Sequence, residues 1–144
     1  MANPIQVTFD AADPPALGAF WALALDYVEQ PPPDGHDSWD AWCEAMGIPP
    51  ERRRDAHAIV DPTGAGPRVF FQRVPEDKVH KNRVHLDVSV SGGPTASLEN
   101  RRPLVDDKVA ELVAAGATQI ARFDREDDYW VVLADPEGNE FCVT

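Results

Sequence analysis

The sequence of 144 residues has little cysteine and little basic charge. Its two cysteines, Cys43 and Cys142, have no CxxC or other metal-ligand spacing, so neither a zinc ribbon nor a disulfide scaffold is expected. Lys and Arg number 13 against 25 Asp and Glu, which gives a formal net charge of −12 at pH 7. Because that charge repels a phosphate backbone, we expect no nucleic-acid partner.

Long apolar runs are missing as well. No apolar stretch approaches the roughly 20 residues that cross a bilayer, and residues 1–6 lack the charged start and apolar stretch of a signal peptide. We therefore expect a cytoplasmic protein without a membrane partner. The 43% of hydrophobic residues are enough to close a core in a chain of this length, which predicts one domain over residues 1–144.

The same order of patterns occurs in both halves of the chain. Residues 5–10 and 84–90 each alternate apolar and polar side chains, as half-buried strands do, and an amphipathic helix follows each. Each half then closes with strands around an Asp-Pro-x-Gly turn, at residues 61–64 and 135–138. This repeat predicts an α+β fold of two pseudo-symmetric βαβββ modules, residues 1–80 and 81–144, with a mixed or antiparallel sheet.

An insertion at residues 30–54, with proline-rich ends, interrupts the first module. Ser38 can cap a short helix there, and four residues at helical spacing share one of its faces: Trp39, Trp42, Cys43 and Met46. Two tryptophans on a short insertion must be shielded from water by another part of the protein, a ligand or a partner. Docking on the main core, closure over a ligand cavity, and a subunit contact would each provide this shielding.

The polar faces of the two alternating strands hold candidate binding residues. On the first strand these are Gln6 and Thr8. On the second they are Arg83, His85, Asp87 and Ser89. If the modules are related by pseudo-twofold symmetry, Gln6 and His85 are counterparts across a shared cavity. The alternative is that both faces simply meet solvent, with Arg83, His85 and Asp87 forming a local ion-pair ladder.

Three segments together carry a resemblance to a known family. They are the helix start Asp13-Pro14 with Phe20-Trp21 and Leu25-Asp26-Tyr27, the stretch Lys81 to Asp87, and the ending Asp135 to Val143. With the paired modules, they resemble the vicinal oxygen chelate superfamily of glyoxalase I, bleomycin-resistance proteins and extradiol dioxygenases, and above all bacterial glyoxalase-like domains. The resemblance covers nearly the whole chain outside the insertion, and it implies a cupped sheet and a homodimer.

The resemblance also implies positions for a metal site. In metal-dependent members, strands of the cupped sheet supply His, Gln and Glu side chains to one divalent ion. Carried over by position, these ligands fall on Gln6, on His85 and, where the last strand usually has Glu, on Cys142. The remaining position falls on Phe71, or on Gln72 if the register is shifted by one residue.

This set departs from the family pattern, because an imidazole, an amide and a thiol are poor ligands for hard Mg²⁺ or Mn²⁺. We therefore expect no bound metal. The alternative is one Zn²⁺ or Ni²⁺ held by His85, Gln6 and Glu140, since Glu140 lies two residues before Cys142 on the same strand face.

What remains is a cavity suited to a small organic ligand. We expect its wall to contain Gln6, Thr8, Trp21, Phe71, Arg83, His85, Asp87, Trp130 and Cys142. Two functions are open. One is a binding protein of the drug-sequestering type, which the missing acids favour. The other, favoured by His85 and its polar neighbours, is a metal-dependent lyase, isomerase or dioxygenase-type enzyme acting on a small oxygenated substrate.

Overall fold

The computed structural model describes residues 1–93 and 95–144. They form two compact units, of which unit 1 contains residues 1–22 and 26–76, and unit 2 contains residues 23–25 and 77–144. The first module consists of β1 (Val7–Ala11), α1 (Pro14–Leu25), β2 (Val28–Glu29), α2 (Trp39–Ala45), a 3-10 turn (Pro50–Arg52), β3 (Ala56–Val60) and β4 (Val69–Arg73). The second consists of β5 (Asp87–Val88), α3 (Leu98–Ala114), β6 (Thr118–Asp124), β7 (Tyr129–Ala134) and β8 (Glu140–Val143).

Each module forms its own four-stranded sheet, and the two sheets have the same strand order. That order is β1-β4-β3-β2 in unit 1 and β5-β8-β7-β6 in unit 2. The first strand of each module pairs parallel with the last, and the other pairs are antiparallel. The predicted α+β fold with a repeated βαβββ module is therefore confirmed.

The strand register aligns the modules residue by residue. Thr8 pairs with Phe70 in unit 1, as Asp87 pairs with Cys142 in unit 2. The antiparallel partner of Phe70 lies three residues before its Asp-Pro turn, and so does that of Cys142. Phe70 is therefore the counterpart of Cys142. The predicted counterparts, Phe71 and Gln72, are wrong by one and two residues, and Phe71 points to the other face of the strand.

Aromatic side chains fill the core of unit 1. The Asp13 carboxylate caps α1 by accepting a hydrogen bond from the Ala16 amide at 3.3 Å. The ring of Phe9 lies 4.9 Å from Trp21 and 5.4 Å from Phe71, measured between ring centroids. Trp21 and Phe71 are 1% and 0% exposed. Their prediction as ligand contacts is therefore corrected: their apolar area stabilises the core.

The start of the second module is less regular than its alternating sequence predicts. β5 has two residues, and Val84, expected on the buried face, is 78% exposed. The segment before β5 is held by a side chain, since the Asn82 amide donates to the Glu140 carboxylate at 3.0 Å. The Asn82 amide is thus not part of a backbone ladder, and backbone pairing with β8 begins at the Leu86 carbonyl, which accepts from the Cys142 amide at 3.0 Å.

The insertion contains the predicted short helix, α2. Ser38 caps it by accepting a hydrogen bond from the Ala41 amide at 3.1 Å. The Trp39 indole donates to the Gln30 carbonyl at 2.7 Å and packs edge-on against Trp42 at 5.5 Å. These contacts fix the helix within unit 1. Throughout residues 1–93 and 95–144, no helix has the length and apolar character needed to cross a membrane.

Candidate functional site

Unit 2 has an open cavity of about 430 Å³ against its sheet. It is lined by His85, Asp87, Ser89, Gly93, Arg101, Asp128, Trp130, Cys142 and Thr144. Alternation along β8 explains why Cys142 and Thr144 line the cavity. Phe141 and Val143 are fully buried, and side chains at alternate positions of a strand lie on opposite faces. The cavity thus combines one aromatic wall with groups that donate and accept hydrogen bonds.

Three donor atoms of different chemistry meet among the residues that line this cavity. The His85 Nε2 atom lies 3.4 Å from the Asp87 Oδ1 atom, and Asp87 is the register partner of Cys142. One nitrogen, one carboxylate oxygen and the sulfur all lie within 4.8 Å of one another. Burial, followed by the nearby Asp87 charge, raises the pKa of the Cys142 thiol to about 11. The thiol is therefore protonated at neutral pH and hydrogen-bonds to Asp87.

A buried cation also lines this cavity. Arg101 is 4% exposed, and its Nη2 atom donates to Asp128 Oδ1 at 2.8 Å while its Nε atom donates to Ser91 Oγ at 3.3 Å. The bond from Arg101, helped by one from the Tyr129 amide, holds the pKa of Asp128 below its ordinary value. Trp130 lines the same cavity, and its ring stacks on Phe123 with the centroids 4.8 Å apart.

Four predicted site residues line this cavity: His85, Asp87, Trp130 and Cys142. Arg83 is exposed and is not among its lining residues in the described part of the chain.

Gln6 and Thr8 belong to unit 1. There the Gln6 Oε1 atom accepts from Arg68 Nη1 at 2.6 Å, and its Nε2 atom donates to Thr8 Oγ1 at 3.3 Å. That Gln6 and His85 share a cavity stays a prediction.

Glu140 is held by neighbouring residues of unit 2. Its carboxylate accepts the Asn82 amide, and it lies 3.6 Å from the ammonium groups of both Lys78 and Lys81. The Asn82 hydrogen bond, followed by the two lysines, lowers the pKa of Glu140. Glu140 is absent from the three-donor cluster found among residues 1–93 and 95–144.

In the alternative ligand set of His85, Gln6 and Glu140, the carboxylate is thus already paired with two lysines and a backbone amide. The cluster of His85, Asp87 and Cys142 supplies a different set. It mixes nitrogen, oxygen and sulfur, which suits a borderline ion such as Zn²⁺ better than hard Mg²⁺ or Mn²⁺. Asp87 takes the place that the sequence assigned to Glu140, because Asp87 is the direct cross-strand neighbour of Cys142.

Sequence reasoning placed Ser89 on the polar strand face but not in the cavity wall, and it did not place Arg101, Asp128 or Thr144 in the site. Arg101 had a detectable signal, since it shares the spacing of Val105, Val109 and Leu112, the buried apolar stripe of α3. A charged residue in such a stripe needs a partner or a function. Thr144 follows Cys142 by two residues and so lies on its face, whereas Asp128 lies in a turn and has no such signal.

A repeated βαβββ fold with a cavity against the second sheet defines a class of α+β proteins built by duplication. Residues 6–144 match the sequence model of the glyoxalase-like domain, so the chain belongs to the glyoxalase-like domain family, within the vicinal oxygen chelate superfamily. No curated protein sequence matches it.

Several solved structures share the fold. A glyoxalase/bleomycin resistance protein/dioxygenase family enzyme from Burkholderia phytofirmans is 19% identical with a TM-score of 0.65, covering 99% of this chain and 97% of that one. A fosfomycin resistance protein variant from Listeria monocytogenes, complexed with Mn(II) and 1S,2S-dihydroxypropylphosphonic acid, is 11% identical with a TM-score of 0.63, covering 99% and 91%. The bleomycin-binding protein of Streptomyces verticillus, complexed with copper(II)-bleomycin, is 14% identical with a TM-score of 0.52, covering 100% and 96%.

Proposed function

We propose that this protein binds a small organic ligand in the unit 2 cavity and that binding does not depend on a metal. The observation that carries the proposal is the cavity itself, whose volume of about 430 Å³ is in the usual range for small-molecule sites. Trp130 offers an apolar surface, while His85, Asp87 and Arg101 can fix the orientation of polar groups. The bleomycin-binding relative shows that the fold can hold an organic ligand.

A screen of planar aromatic fragments by protein-observed NMR tests this proposal. We expect bound fragments to shift the resonances of the Trp130 indole and the His85 ring. Trp130→Ala should weaken the binding, whereas Trp42→Ala, on the insertion helix of unit 1, should leave it unchanged. Shifts confined to residues outside the cavity, or equal effects of both substitutions, would overturn the proposal.

The second candidate function is a metal-dependent lyase, isomerase or dioxygenase-type enzyme. The three-donor cluster favours it, because three protein ligands with an open position are the usual arrangement of catalytic zinc. His85, Asp87 and Cys142 would hold the ion, which would polarise an oxygen of the substrate. The Mn(II) complex of the fosfomycin resistance relative shows that the fold can combine a metal with a small oxygenated molecule.

Metal titration separates the two functions. We expect untagged protein to carry little metal and to bind added Zn²⁺ or Co²⁺ weakly. Sub-micromolar binding of one equivalent, abolished by His85→Ala and by Cys142→Ala, would favour the enzyme. His80→Ala and Cys43→Ala are the matched controls, since neither residue lines the cavity. In the Co²⁺ form, a sulfur-to-metal absorption band that Cys142→Ala removes would identify the thiolate ligand independently of activity.

Location and assembly complete the proposal. We propose a cytoplasmic homodimer, as the sequence and its family resemblance predict. Light scattering of the purified protein measures its mass against the 15.8 kDa of one chain. A mass of one chain at working concentration would exclude the dimer and leave the cavity proposal unaffected, because all its lining residues belong to one unit.

A further inference from the structure

The most unusual residue of unit 2 is Arg101, a cation on the buried stripe of α3. Val105, Val109 and Leu112 continue that stripe and are 0%, 4% and 0% exposed, while the Arg101 side chain is 5% exposed. Burying a guanidinium among apolar groups is unfavourable unless its donors are satisfied. An apolar residue would serve the packing of the helix better, so the charge at this position calls for a specific reason.

The protein partners of Arg101 use only part of its hydrogen-bonding capacity. A guanidinium has five N–H donors in a planar fork. Within residues 1–93 and 95–144, Nε is bonded to Ser91 and Nη2 to Asp128. Nη1 has no protein acceptor in this part of the chain. It is not a buried atom left without a partner, and so it remains accessible. Since Arg101 lines the cavity, Nη1 is the donor available to a ligand.

Two hydroxyl groups line the same cavity as Arg101. Ser89 and Thr144 both line it, and they follow the paired residues Val88 and Val143 of neighbouring strands. Asp87 precedes Ser89 by two residues, which in an extended chain is roughly 6.6 Å, whereas Ser91, which accepts from Arg101, follows Ser89 by two. A guanidinium and two hydroxyls can therefore hold an oxyanion with the Asp87 carboxylate at some distance. Arg101 already neutralises the nearer acid, Asp128.

We propose that the ligand of the unit 2 cavity carries a carboxylate, which Arg101, Ser89 and Thr144 bind while its planar body lies against Trp130. This inference rests on the proposed function and narrows it to one ligand class. A carboxylate matches the planar fork of arginine, and a charge-assisted bond in a partly enclosed site is stronger than a neutral one. The ligand is thereby oriented with its uncharged end toward His85, Asp87 and Cys142.

Three probes of one shape test the charge requirement. Benzoate, benzamide and benzamidine carry an anionic, a neutral and a cationic group on the same ring. We expect benzoate to bind about tenfold more tightly than benzamide, because one charge-assisted hydrogen bond replaces a neutral one. Isothermal titration measures the ratio, and the NMR shifts of Trp130 and His85 show where each probe binds.

Neighbouring arginines provide the matched variants. Arg101→Gln should reduce the benzoate preference to about twofold or less, by removing the charged hydrogen bond. Arg102→Gln should preserve it, because Arg102 pairs with Asp124 and does not line the cavity. If Arg101→Gln fails to fold, the double variant Ser89→Ala and Thr144→Val tests the same proposed carboxylate site. Both side chains lie outside α3, and their loss should also reduce the preference for benzoate.

The outcomes separate this inference from the proposed function. If benzamide or benzamidine shifts Trp130 and His85 while benzoate binds no better, the cavity is a binding site and the carboxylate proposal is wrong. An unchanged benzoate preference in folded Arg101→Gln, or in the double variant, also overturns it. If none of the three probes shifts Trp130 or His85, both the inference and the proposed function fail.

Discussion

Unit 1 and unit 2 share a strand order but differ in what their sheets present at equivalent positions. The register makes Gln6, Thr8, Phe70 and Ala56 of unit 1 the counterparts of His85, Asp87, Cys142 and Trp130 of unit 2. In unit 1 the polar groups satisfy one another, since Gln6 accepts from Arg68 and Gln72 donates to Asp10 at 2.7 Å. In unit 2 the same positions line a cavity.

The difference teaches that duplication preserves a scaffold more strictly than it preserves a site. The pairs Val69 and Phe141, and Phe71 and Val143, are buried and apolar in both units. Their side chains must fill a close-packed interior. The opposite face has no such constraint, so its chemistry can diverge between the copies. The cluster of possible metal ligands, His85, Asp87 and Cys142, lies in unit 2, which is why the proposals concern that unit.

The largest expected effect tests the boundary between core and cavity face in unit 1. Phe71→Ala should destabilise the protein by about 3–5 kcal/mol, because it removes a fully buried ring. Phe70→Ala should cost well below that, since the Phe70 ring is partly exposed and packs under Arg68 at 5.0 Å. Urea denaturation of both variants measures the difference. Equal losses would show that the assigned register, and with it the pairing of Phe70 with Cys142, is wrong.

This register was not predictable from the sequence alone. The repeat, the α1 cap at Asp13 and the short helix after Ser38 were predictable, because each depends on local spacing and capping chemistry. Placing the last strand of unit 1 depended on the length of the loop between its turn and β4. A shift of one residue exchanges the two faces, and so Phe71 was predicted at the cavity when it lies in the core.

The site could be predicted only where its residues follow the apolar and polar alternation of a strand in the sequence. His85, Asp87 and Cys142 followed from alternation and family position. Arg101 and Asp128 come together through an ion pair between a helix and a turn, 27 residues apart in sequence. Nothing in local periodicity encodes such a contact. The lysine and amide partners of Glu140, the alternative carboxylate, were not predictable because they come from an irregular segment.

The second effect concerns the thiol that replaces Phe70 in unit 2. With its pKa raised from 9.0 to about 11, Cys142 should react with iodoacetamide about 100-fold more slowly at pH 8 than an unperturbed thiol, because the thiolate is the nucleophile. Its rate should rise about tenfold per pH unit up to that pKa. The measurement uses a Cys43→Ala background, in which Cys142 is the single cysteine.

Asp87→Asn in the same background sharpens this prediction. It removes the negative charge and replaces the carboxylate acceptor with a weaker amide oxygen, and because the charge and the carboxylate hydrogen bond both raise the pKa of the thiol, alkylation should become faster. The recovery should be partial, because burial is the largest cause of the shift and remains. If Cys142 in the Cys43→Ala protein, with Asp87 intact, reacts as fast as a peptide thiol, the hydrogen-bonded arrangement is contradicted.

The third effect compares the two Asp-Pro-x-Gly turns. Asp135 is 3% exposed and accepts hydrogen bonds from the amides of Glu137 and Asn139 at 2.9 and 3.0 Å. Asp135→Ala leaves these buried donors unpaired and should cost about 1–3 kcal/mol. Asp61, its counterpart, accepts from Thr63 and Gly66 nearer to solvent, so Asp61→Ala should cost less. Thermal unfolding that ranks Asp61 above Asp135 would contradict the assigned burial.

The smallest effect concerns a core position that differs between the units: His57 in unit 1 corresponds to Val131 in unit 2. Burial, opposed by Glu29 and supported by Arg54, lowers the pKa of His57 below 6.5. The unfolded chain therefore binds the proton more readily, and stability should fall as the pH drops through 6.5 toward the folded pKa. His57→Val copies unit 2 and should flatten that dependence, measured as the free energy of unfolding at pH 5 to 7. The absolute stability can also change, because the imidazole fills the space against Gly18, so the slope is the quantity compared. An unchanged slope would show that His57 is not the source of the pH dependence.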